Sequence, residues 1–216
     1  MRVDGVRAGV VTISASYGAG GPEVGPAVAE RLGLPFHDRA IPAQVAGRLG
    51  VSQDDAEAND ERVVRGLWRL VASLGAMPDP VGGVVPVPPQ PDERAYRQHT
   101  EEVLHEIADG AGGVVLGRAA ALVLRDRGDA LHVRLDGPPE ARLRAAVERY
   151  GRPEDELRRE MQANDRTREA YVRHFYRCDP AAAQHYHLVV DGTALPLGTV
   201  ADLVVAAARA RGIGAD

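Results

Sequence analysis

Lysine is absent from this 216-residue chain, so all 26 basic side chains are arginine. Two readings of that composition stand side by side: a coding bias toward Ala, Arg and Gly, and arginine's suitability for gripping phosphate. Cysteine occurs once, at Cys178, which excludes an intrachain disulfide and suits a reducing compartment. Aromatic residues make up only 4% of the chain, so valine, leucine and alanine must build the interior. A net charge of −5 argues against nonspecific nucleic-acid binding. The start Met1-Arg2-Val3-Asp4 has no long apolar run of the signal-peptide kind, and no segment is apolar enough to span a membrane. The expected location is the cytoplasm, with no nucleic-acid or membrane partner.

What is present is a β-branched run, Val10-Val11-Thr12-Ile13-Ser14, entering the glycine-rich turn Ser16-Tyr17-Gly18-Ala19-Gly20-Gly21. A helical pattern follows over 22–32, with proline in the first turn, where its missing N–H has no intrahelical partner anyway. Strand, glycine loop and helix in that order form an anion cradle, because backbone N–H groups and a helix N-terminus point at one spot. The usual phosphate loop adds a lysine for the outer phosphates and a Ser/Thr hydroxyl for magnesium. Here those positions read Gly21, Pro22 and Glu23.

Further strands are expected at 113–117, 130–135 and 187–190, with a short extended piece at 35–38. Helical patterns cover 41–49, 53–75, 92–109, 138–150, 168–177 and 198–211, with 151–167 highly charged between two of them. Trp68 lies on an apolar stripe suited to a core or a contact between copies, which leaves a homo-oligomer open. Residues 77–91 hold six prolines and read as a loop. Alternating strands and helices imply a parallel sheet of about five strands covered on both faces. Ligands then sit beyond the carboxyl ends of the strands. The glycine loop, Asp38-Arg39, Gly117-Arg118 and Asp136 all follow strands and should gather at that edge.

Four segments carry a family resemblance. They are Ile13-Ser14-Ala15-Ser16-Tyr17-Gly18-Ala19-Gly20-Gly21, then Leu34-Pro35-Phe36-His37-Asp38-Arg39, and Leu116-Gly117-Arg118-Ala119-Ala120. The fourth is Asn164-Asp165-Arg166-Thr167-Arg168-Glu169-Ala170-Tyr171 with Tyr186-His187-Leu188-Val189-Val190-Asp191. In this order the chain resembles the cytidylate kinase-like family over roughly residues 8–206.

The resemblance implies one P-loop kinase-type domain of three layers (α/β/α). Its core would be about 8–38, 112–150 and 186–211, with a monophosphate-binding insertion at about 39–95 and a lid at about 151–168. It implies ATP with Mg2+ as phosphoryl donor and a CMP-like monophosphate, or another small phosphorylated or hydroxyl compound, as acceptor. Ser16, Tyr17, Gly18, Ala19, Gly20 and Gly21 would hold the nucleotide phosphates. Asp38, Arg39, Arg118 and Asp165 would hold the acceptor, while Arg168 and Arg142 would serve catalysis; no metal-ligating side chain is assigned. The family usually reads Gly-Gly-Arg-Glu where this chain has Gly20-Gly21-Pro22-Glu23. A catalytically silent phosphate-binding or regulatory protein on the same fold is therefore the alternative.

Several residues also have plainer readings. Arg142, Arg144 and Arg149 read as a solvated helix face, and Glu23 as turned away from the loop. Asp165 and Arg168, three apart, share a helical face and can pair with each other. His185 and His187 flank Tyr186 at strand spacing, with no third ligand nearby for a metal. Cys178 has no nucleophile signature around it.

Overall fold

A computed structural model describes residues 9–38 and 93–214. The helices expected at 41–49 and 53–75, Trp68, the proline-rich 77–91 and Arg39 lie outside the described residues. The chain divides into two compact units, Met1–Asp38 with Leu104–Asp216, and Arg39–Val103. The sheet and the site below belong to the first.

Five strands form one sheet: β1 (Val10–Ala15), β2 (Phe36–His37), β3 (Gly113–Leu116), β4 (Ala130–Asp136) and β5 (Leu188–Asp191). Their spatial order is β2-β3-β1-β4-β5, and every pairing is parallel. The run Val10-Val11-Thr12-Ile13 suits the centre of such a sheet, and each of the four is at most 1% exposed. The α-helices are α1 (Gly21–Leu32), α2 (Glu93–Asp109), α3 (Ala120–Val123), α4 (Pro139–Tyr150), α5 (Glu154–Tyr176) and α6 (Leu197–Ala210).

The main core packs Val11, Ile13, Leu131, Val133 and Leu135 of the sheet against Val24, Val28 and Leu32 of α1 and Val200 and Val204 of α6. Side chains alternate across a strand. Leu131, Val133 and Leu135 therefore fill this core while His132, Arg134 and Asp136 stand on the opposite face. A second cluster joins α4 to α5 through Leu143, Ala146, Leu157 and Met161. Burying Leu157 completely stabilises this contact by about 2 kcal/mol.

The sequence suggests a charged segment at 151–167 followed by a separate helix; the structure joins them into one helix of 23 residues. No glycine or proline interrupts Glu154–Tyr176. Its acidic first turn and basic last turn match the helix dipole, and Arg158–Glu154 and Arg173–Glu169 add i,i+4 pairs.

Candidate functional site

Between β1 and α1 the backbone turns through Gly18 and Gly20, at φ 80° and 88°, conformations open to glycine at little cost. Close packing demands glycine too, since a Cβ on Gly18 would lie 2.3 Å from the Arg142 carbonyl oxygen. Within the loop, Ser16 N–H donates to Leu135 O at 3.0 Å and Ala19 N–H to Ser16 O at 3.0 Å. Gly20 O accepts from Glu23 and Val24, which starts α1. Among the described residues no acceptor meets the N–H groups of Gly18, Gly20 or Gly21. Three donors at a helix N-terminus thus have no acceptor among the described residues, with Gly18 half-buried and Gly20 and Gly21 buried, and such unpaired N–H groups suit an anion.

The residues just before these donors are held by side chains. Tyr17 N–H donates to Asp165 Oδ1 at 3.1 Å, and Tyr17 O accepts from Arg142 Nη1 at 2.9 Å. Arg142 and Asp165 meet each other at 2.7 Å, and Arg142 Nε donates to Gly137 O at 3.0 Å. Arg142 is only 7% exposed, so it is no member of a solvated face; Arg144, beside it, is exposed. Ser16 Oγ accepts from Arg134 Nη2 at 3.2 Å. Arg134 also binds Asp136 Oδ2 through Nε (3.1 Å) and Nη2 (2.7 Å), donates to Pro180 O, and lies over the Tyr186 ring. Burial would push the Asp136 carboxyl up, but Arg134 and the Ser16 hydroxyl outweigh it and hold it below the ordinary carboxylate value. The Tyr17 phenol is pushed up to about 12 by burial and by its hydrogen bond to Glu160.

Arg168 projects from α5 to the end of β1, where its Nη1 donates to Ala15 O. It keeps surface open to solvent, yet crowding by protein lowers its pKa from the usual arginine value. Arg118 and Arg134 push the same way, while Asp165 and Asp38 oppose them. These five charges therefore share one neighbourhood at the carboxyl edge of the sheet. Arg168 and Asp165 form no ion pair with each other among the described residues; each reaches the loop instead. Arg118 sits in a left-handed run, Gly117 φ 77°, Arg118 φ 59° and Ala119 φ 52°. Each non-glycine residue there costs about 1–2 kcal/mol, strain of a kind that collects at functional sites.

Room for a loop lysine is missing as well as the lysine. A Cβ on Gly21 would lie 2.6 Å from Ala15 Cβ and 3.2 Å from Leu116 Cδ1. Glu23, two residues on, pairs with Arg149 Nε of α4 at 2.9 Å. His185 ends a 3-10 turn (Ala183–His185), so the strand spacing expected for His185 and His187 is not realised. His187 instead stacks on His132, ring centroids 4.9 Å apart. Among the described residues no three His, Cys, Asp or Glu side chains group as metal ligands. Cys178 is free, and burial raises its pKa.

Sequence reading missed Arg134 as a partner of the loop. Its signal was period-two alternation in Leu131-His132-Val133-Arg134-Leu135-Asp136, which places three polar side chains on one face of a central strand.

A five-stranded parallel sheet in this order, with a glycine loop between its central strand and the first helix, defines a P-loop kinase-type α/β protein. The chain belongs to the cytidylate kinase-like family, whose sequence pattern matches residues 10–194. Among solved structures, an uncharacterized protein from Eubacterium ventriosum superposes with a TM-score of 0.65 at 14% identity, over 93% of this chain and 98% of that one. Shikimate kinase from Bacteroides thetaiotaomicron gives a TM-score of 0.46 at 18% identity, over 93% of this chain and 96% of that one. Shikimate kinase from Acinetobacter baumannii, in complex with shikimate, gives 0.46 at 14% identity, over 94% and 93%. A Corynebacterium glutamicum protein named uronate isomerase is 31% identical over 114 residues, 53% of this chain. The match spans only 22% of that protein's length.

Proposed function

We propose that the site binds a nucleotide through its phosphates and transfers the terminal phosphoryl group of ATP to a CMP-like monophosphate or a related small acceptor. The observation that carries this reading is the set of unpaired N–H donors on Gly18, Gly20 and Gly21, beside an arginine delivered by α5. Phosphoryl transfer asks mainly for positioning and for positive charge around the transferring group. With no lysine in the chain, guanidinium groups must supply that charge, and a planar fork suits phosphate oxygens. Arg168 is the group that closes on the phosphates, and Arg118 with Asp38 faces the acceptor. Arg142 is a positioning residue, because its donors hold the loop backbone and Asp165. Magnesium brought with the nucleotide would supply further charge neutralisation; no side chain of this chain is assigned to hold it. The segment 39–95 is proposed as the acceptor-binding insertion and about 151–168 as the lid.

A second reading, a silent phosphate-binding protein on the same fold, is favoured by the filled surroundings of Gly21. Calorimetric titration of Mg-ATP into wild type, Arg168→Ala and Arg118→Ala tests what the two readings share. Binding by wild type that weakens at least tenfold in each variant supports a phosphate site built by these arginines. Equal binding by all three proteins, or binding by none, contradicts it.

A further inference from the structure

Asp165 places a carboxylate on a backbone donor next in line to the unpaired ones. Its Oδ1 accepts from Tyr17 N–H at 3.1 Å, and the donors of Gly18, Gly20 and Gly21 follow at once along the chain. Its Oδ2 is gripped by Arg142, which is almost fully buried and bonds the carbonyl of the same tyrosine. One turn further along α5, Arg168 donates to Ala15 O. The helix therefore meets the loop with one anion and one cation, each on backbone that flanks the phosphate position.

We infer that Asp165 is a built-in competitor of the phosphate ligand, holding α5 on the loop and leaving when the ligand arrives. The inference rests on the reading of this loop as a phosphate site. A phosphate on the donors of Gly18, Gly20 and Gly21 lies beside the carboxylate on Tyr17, and two anions so close repel in a partly dry site. Release of Asp165 relieves the repulsion and gives up the hydrogen bond on Tyr17. It also frees the guanidinium three positions on to turn from the Ala15 carbonyl to the phosphate, which forms the stronger charge-assisted bond. Asp165 thereby sets the ligand affinity from inside the protein. The role is opposite in sign to acceptor binding, since removal of its charge strengthens binding of the phosphate ligand.

Inorganic pyrophosphate is the probe, titrated calorimetrically into wild type and Asp165→Asn, which keeps an acceptor oxygen for Tyr17 N–H. The expected result is about tenfold tighter binding by the variant. Equal or weaker binding by the variant overturns the inference alone. Binding by neither protein overturns the phosphate reading and the inference together. Should Asp165→Asn fail to fold, the wild-type chain decides by NMR. On pyrophosphate addition, the Asp165 carboxyl and the Tyr17 amide shift together if the pair separates. A Gly20 amide that shifts while Asp165 stays unchanged overturns the inference.

Discussion

Arg142 and Asp165, 23 positions apart, meet at 2.7 Å and take hold of Tyr17 from its two sides, the arginine on its carbonyl and the aspartate on its N–H. The pair ties α4 and α5 to the glycine loop. It does so with groups that are separate in sequence and meet only in the folded chain.

Removing the arginine leaves a half-buried carboxylate and a loop carbonyl without their donor. Arg142→Ala is expected to cost about 3 kcal/mol of folding stability, since loss of one partner strands the other. Arg142→Lys should recover only part of this, because a lysine cannot serve Gly137 O, Tyr17 O and Asp165 in one plane. Urea unfolding of the three proteins measures both effects. An unchanged midpoint for Arg142→Ala would show that the network contributes nothing.

Restoring the missing lysine should not restore a standard loop. Gly21→Lys drives its Cβ into Ala15 and Leu116, at 2.6 and 3.2 Å, and should cost about 1–3 kcal/mol in strain. Gly21→Ala carries the same Cβ and should show a similar loss. Thermal unfolding of both variants, with Mg-ATP binding measured in parallel, makes the test. A Gly21→Lys protein as stable as wild type that binds ATP more tightly would contradict the packing described around the loop.

Acid should weaken the fold through two histidines. His132, 2% exposed, bonds Thr12 through its ring Nδ1 at 2.8 Å, and its backbone N–H donates to His187 Nδ1 at 3.0 Å. Burial lowers the pKa of both, and for His132, with His187 beside it, the value is about 4. The unfolded chain therefore takes up these protons first as pH falls. The contribution is intact above the ordinary histidine pKa of about 6.5, declines from there toward about 4, and levels off below. The loss attributable to His132 is on the order of 3 kcal/mol. Urea midpoints across that window should fall for wild type and fall less for His132→Asn. Parallel slopes would remove His132 as the cause.

The central strands and the glycine loop could be read from residues alone, because both rest on local chemistry. Val10-Val11-Thr12-Ile13 can hardly be anything but a buried strand, and Gly18 and Gly20 mark turns that other residues would strain. Arg142 was harder to read. It shares the buried stripe of α4 with Leu143 and Ala146, yet an arginine there reads as solvated until its distant partners Tyr17 and Asp165 are known. The partner of Glu23, Arg149, lies 126 residues later by the chain numbering, so the sequence alone does not show the pair. The long α5 reads as two pieces in the sequence because its charge density suggests a boundary, although no residue in it breaks a helix. Arg134 and Asp136 were visible as polar residues on alternate positions of a central strand. Their grip on Ser16 depends on β1 and β4 lying side by side, with Ser14 opposite Arg134.

The most direct test of arginine-based phosphoryl transfer is ADP release from Mg-ATP, assayed with CMP, dCMP and UMP as acceptors. The expected result is acceptor-dependent turnover in wild type that Arg168→Ala abolishes while the variant stays folded. Folded wild-type protein that binds Mg-ATP but releases no ADP with any acceptor in a wider panel would contradict transfer and leave a silent binding protein.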